Sequence, residues 1–79
     1  QVFHQLYVLR FNGSVSASDP QWQQQLASLL DESGDALIDV NRGEQHMLVY
    51  RRHFEWQGTQ GVLLVGEDFS QVEAGLSTC

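Results

Sequence analysis

Between Ala36 and Gly66 the chain runs through three strand-like patterns separated only by short turn signals, and this crowding limits what it can fold into. Parallel neighbours need a crossover of about a dozen residues or more, whereas antiparallel neighbours need only a tight turn. The stretch therefore predicts a meander of hairpins. Ala36 to Val40 forms the first arm, with Ala36, Ile38 and Val40 on one face, and Asn41-Arg42-Gly43 reads as its turn. His46 to Trp56 is the longest arm. Leu48, Tyr50, Phe54 and Trp56 alternate there with Met47, Val49, Arg51, His53 and Glu55, so the two sets face opposite ways. Gln57-Gly58-Thr59 turns the chain into Gly61 to Gly66, a nearly unbroken apolar run of the kind found in a central strand covered on both faces.

Two further elements precede the meander. Gln5 to Phe11 mixes β-branched and aromatic residues and ends at Asn12-Gly13, a good former of a two-residue hairpin turn. Val15 to Ala17 is then either a short return strand or loop. Ser18-Asp19-Pro20 opens a helix: Ser18 or Asp19 can accept from the first-turn amides, and Pro20 fits where no intrahelical N–H is required. Trp22, Leu26, Leu29 and Leu30 make its apolar face, and Gly34 suits the left-handed residue after its last turn. The acidic exit Asp31-Glu32 opposes the helix dipole. After the meander, Phe69, Val72 and Leu76 share one face of a second helical pattern for which Asp68 is the N-cap. The predicted class is α+β, an antiparallel sheet of about four to five strands with helices packed on it.

At 79 residues the chain is a single domain, residues 1–79, since domains run to roughly 100–200 residues. Its 42% hydrophobic content supports a folded core. Ten Asp and Glu stand against four Arg, lysine is absent, and the net charge is −6. Nucleic acid is excluded as a partner, because phosphate binding needs clustered Lys and Arg. No run approaches the ~18 apolar residues of a membrane helix. The chain starts at Gln1 and stops at Cys79 within a helical pattern, so it reads as an excised piece of a longer protein.

Catalytic chemistry finds no footing. Cys79 is terminal, no serine sits in a Gly-x-Ser-x-Gly elbow, and no glycine-rich phosphate loop is followed by lysine. His46 and His53 lie an odd number of residues apart on one strand and so point to opposite faces. Neither a catalytic centre nor a metal or other cofactor is expected. The acidic runs Asp31-Glu32 with Asp35, and Glu67-Asp68 with Glu73, read as solvated surface. Arg51 and Arg52 are two single arginines on opposite faces, with a structural ion pair as their expected use.

Leu48-Val49-Tyr50-Arg51-Arg52, Gly58, Val62-Leu63-Leu64-Val65-Gly66 and Phe69-Ser70-Gln71-Val72-Glu73 together resemble the close of the extracytoplasmic sensor domain of bacterial two-component histidine kinases. Leu6 to Val15 with its Asn12-Gly13 turn resembles the hairpin of the same domains. The resemblance implies a PAS-like, non-catalytic periplasmic domain of an inner-membrane protein, homodimeric in the full receptor, whose last helix passes a signal through the membrane to a kinase core. Its partner would be a small ligand, a cation or a periplasmic protein. The alternative is a small ferredoxin-like protein-interaction or secretion-assembly module, recognisable by a helix between the last two strands. Loops carry function on rigid scaffolds, which makes the turn residues Arg42 and Glu44, and Glu67 and Asp68 at the start of the last helix, the expected signal contacts.

Overall fold

The computed structural model describes residues 4–70. Strands β1 (His4–Phe11) and β2 (Ser14–Ala17) form a hairpin, helices α1 (Pro20–Gln25) and α2 (Ala27–Leu30) follow, and β3 (Ala36–Arg42), β4 (Gln45–Trp56) and β5 (Thr59–Asp68) complete the meander. All five strands join one antiparallel sheet in the order β2-β1-β5-β4-β3. The expected α+β architecture is therefore observed, with β1 closing onto β5, the last strand among the described residues: Leu6 pairs with Gly66 and Phe11 with Gly61.

Each hairpin turn follows from its residues. Asn12 and Gly13 both take positive φ (53° and 80°), as do Gln57 and Gly58 (51° and 83°), which is the backbone of a type I′ turn. Val15 to Ala17 thus belongs to a return strand. The turn between β3 and β4 lies one step later than Asn41-Arg42-Gly43 suggests. Arg42 pairs with Gln45, leaving Gly43 (φ 60°) and Glu44 as the loop. A glycine with positive φ at the first loop position is what a type II′ turn requires, and this preference sets the register.

The helical segment begins as its sequence predicts: Asp19 caps it, its Oδ1 accepting from the Gln21 amide at 3.1 Å. Ser18 instead extends the β1–β2 ladder, its Oγ accepting from the Tyr7 amide. One continuous helix is not formed. The chain bends at Leu26 (φ −108°, ψ 8°), whose own side chain is fully buried. So short a segment is held by packing more than by propensity, and the bend accompanies burial of Trp22, Leu26 and Leu30 against the sheet.

That contact is the core. Leu6 and Val8 of β1, Val62 and Leu64 of β5, Met47 and Val49 of β4 and Val40 of β3 meet Trp22, Leu26 and Leu30 on one face of the sheet. Each large apolar side chain buried there contributes about 1.5–3 kcal/mol. Gly66 lies within the packed region: a Cβ on it would stand 2.7 Å from the Leu48 carbonyl oxygen and 3.1 Å from Val49 Cγ2.

The acidic exit of α2 is held by three side chains of the helix-covered face. Arg10 Nη1 meets Asp31 Oδ1 at 2.7 Å, and its Nη2 donates to the Leu30 carbonyl. Arg51, the one buried charged residue among those described, donates to the carbonyls of Gly34 (2.7 Å), Ser33 (3.3 Å) and Leu29 (3.4 Å), with Glu32 at 3.5 Å. Asp35 Oδ1 accepts from the His53 amide at 2.8 Å and lies 3.3 Å from His53 Nδ1. The unfavourable dipole placement of Asp31 and Glu32 is thereby offset by guanidinium groups at the carbonyl end of the helix. Gly34 takes the left-handed φ of 85° expected of it.

The opposite face is open among the described residues. Sequence alone makes β5 a strand covered on both sides. It is central in the sheet, but only its Val62, Leu64 and Gly66 face is packed by the helices, and Val65 on the other side is 46% exposed.

Candidate functional site

The four expected contact residues converge on one end of the sheet, where β3 turns into β4 and β5 runs out. Arg42 and Glu44 flank or form the β3–β4 turn, with Glu44 exposed, and Glu67 and Asp68 pair across the ladder with Leu48 and Met47. Glu67 and Asp68 are not the start of a helix, as the sequence suggests. Both belong to β5, because the ladder with β1 continues through Gln5–Glu67 and His4–Asp68. Strand alternation then sends the two carboxylates to opposite faces, so they do not act as a joint cation site.

The expected capping role of Asp68 concerns a helix that lies outside the described residues, of which one contact is seen. Asp68 Oδ1 accepts from the Ser70 amide at 2.9 Å. The rest of the expected last helix, with Glu73, Val72 and Leu76, falls outside the described residues. The exit from β5 is also bound to the start of β4. The Phe69 amide donates to the His46 carbonyl at 2.8 Å, and the His46 amide donates to Ser70 Oγ at 2.9 Å. The His46 ring stands 6.0 Å from the Phe69 ring, and its Nε2 lies 3.0 Å from Asp39 Oδ1. His46 is thus a junction between the turn, β3 and the departing chain. Nothing in the sequence local to His46 reports that residues 69 and 70 return to it.

Other titratable groups serve the scaffold. The His53 amide holds the Asp35 carboxyl below its ordinary value of 3.8, helped by the His53 ring and the Arg52 charge and opposed by partial desolvation. His46 and His53 occupy opposite faces, each beside its own aspartate, and no group of three or more His, Cys, Asp or Glu able to hold a metal gathers among the described residues. No helix among them is long and apolar enough to cross a membrane.

The same end of the sheet opens on a shallow groove of about 340 Å³ on the uncovered face. Leu37, Leu48, Tyr50 and Val65 supply its apolar lining, with Gln5 and Glu67 at the border. It is wide and largely apolar. Comparison of the chain with protein-family models, with curated proteins and with solved structures finds no match.

Proposed function

We propose that the chain is a PAS-like, non-catalytic, periplasmic signal-sensing domain of an inner-membrane sensor histidine kinase. The observation that carries the reading is the strand order β2-β1-β5-β4-β3 with both helices inserted between β2 and β3, which resembles the arrangement of PAS-type sensor domains. The input would be a contact at the β3–β4 turn. The output would be the segment leaving β5 at Ser70. The two adjoin through His46, whose backbone binds Phe69 and Ser70 two residues beyond Glu44. A ligand, cation or periplasmic protein that favours one geometry of the turn would shift the population of exit directions, by no more than its differential affinity for them.

The test is made in the parent receptor. Deletion of residues 4–70 should abolish the signal dependence of kinase autophosphorylation, and fusions of alkaline phosphatase within the domain should be active outside the inner membrane. A parent reading frame without a kinase core, or signalling indifferent to the deletion, would overturn the proposal. A protein-interaction module is the second reading, favoured by the open apolar face. Its ferredoxin-like form requires a helix between the last two strands, where the chain has only the turn Gln57-Gly58.

A further inference from the structure

We propose that the open face of the sheet is the interface between two copies of this chain, packed face to face about a two-fold axis that runs across the strands through the row Tyr7–Val65–Tyr50–Leu37. The first ground is how the exposed apolar surface is distributed. Among the described residues the exposed large hydrophobics, Tyr7, Leu37, Leu48, Tyr50, Trp56 and Val65, range from 36% (Leu48) to 67% (Leu37) exposed. By strand alternation and register every one of them projects from this single face. Their gathering on one side marks an interaction surface, since scattered exposed apolar residues would fall on both.

The second ground is charge. Successive rows on the open face carry Glu67, Leu48 and Asp39, then the apolar row Val65, Tyr50 and Leu37, then Leu63 and Arg52. A two-fold axis along the apolar row exchanges the rows on either side of it. Arg52 of each protomer then lies over Leu48 of its partner, with Glu67 and Asp39 one strand spacing of about 4.8 Å to either side. Facing sheets pack about 10 Å apart, within reach of a pair of long side chains. The face is therefore self-complementary, as a two-fold interface must be. Asp31 and Glu32, which would repel a second copy, are engaged by Arg10 and Arg51 on the other side of the sheet, and Asp35, at the edge beside Arg52, is bound by His53.

The third ground is size. Four strand spacings and eight residues along β4 outline about 19 by 26 Å, or roughly 500 Å² on each copy. Two such faces total about 1,000 Å², the lower bound of a specific interface. The dimer would also supply the second cover that the Gly61–Gly66 run of β5 lacks among the described residues.

The experiment is sedimentation equilibrium of the full chain, with circular dichroism to verify folding of each variant. The wild type should dimerise, Arg52→Glu should weaken association by at least about tenfold through like-charge contact with Glu67 and Asp39, and the double variant R52E/E67R should recover it. Tyr50→Glu, on the axis, should leave a folded monomer. A monomeric wild type, or a dimer indifferent to both R52E and Y50E, overturns the proposal. Either of these results leaves the sensor reading intact, because that reading is decided by the parent receptor's kinase core and signalling.

Discussion

Replacing Arg51 by alanine should cost about 3 kcal/mol of folding stability, most of it lost from the carbonyl end of α2. The guanidinium makes one short bond, to Gly34 at 2.7 Å, and two longer ones, to Ser33 and Leu29 at 3.3 and 3.4 Å. A hydrogen bond from a charged donor contributes about 1.5–3 kcal/mol at good geometry and less when long. The stem of the side chain packs in the core as well, being 4% exposed as a residue, and its loss adds to the total. Glu32 contributes little, since it stands 3.5 Å away and its side chain is 62% exposed. Glu32→Ala should therefore cost under about 0.5 kcal/mol. At about 0.05–0.15 kcal/mol per residue the domain holds roughly 4–12 kcal/mol, so R51A removes a quarter or more of it. Urea unfolding followed by fluorescence reads this directly in a W56F background, where Trp22, 7% exposed in the core, becomes the reporter. A loss below about 1 kcal/mol, or an equal loss in E32A, would refute the assignment of Arg51 to the backbone carbonyls.

The remaining expectations address other elements. The Asp35 carboxyl is held below its ordinary 3.8, so its contribution is present above that pH and fades as pH falls through the lower folded value. Asp35→Asn should thus differ most from wild type near neutrality, and a constant difference in urea midpoint from about pH 6 to about pH 3 would count against the His53 contact. Gly66→Ala should cost about 1–3 kcal/mol, because its Cβ meets the Leu48 carbonyl, which cannot swing away. Gly61→Ala should cost less, as the obstacle is the far end of the Phe54 ring, and calorimetric midpoints ranked the other way would contradict this. Asp68→Ala should lose about 1 kcal/mol with the bond to the Ser70 amide, and Asp68→Lys should change receptor signalling; an unaltered signal response would tell against the exit as the output point.

Much of the fold was legible because its determinants are local. Asn12, Gly13 and Gly58 are residue types that tolerate positive φ, Asp19-Pro20 carries a cap and a first-turn proline, and the alternation of β4 divides Met47, Val49 and Arg51 from Leu48, Tyr50 and Arg52. Errors arose where a distant partner decided the outcome. Glu67 and Asp68 resemble a helix start until Gln5 and His4 of β1 extend the ladder through them. The acidic run Asp31, Glu32 and Asp35 resembles free surface until Arg10, Arg51 and His53 arrive from two strands. Of the four expected contact residues, their shared location at one end of the sheet follows from register, while the His46 junction beside them has no local signature at all.

The sequence by itself determined which residues alternate, where the chain reverses and that short connections make the sheet antiparallel, since periodicity and turn chemistry act within a few residues. Only the tertiary structure decided that β1 closes onto β5, that three basic side chains gather the acidic exit of α2, and that one apolar face is covered while the other is open among the described residues. These outcomes depend on groups far apart along the chain, whose meeting is selected by the burial of the whole core and leaves no mark in any local stretch.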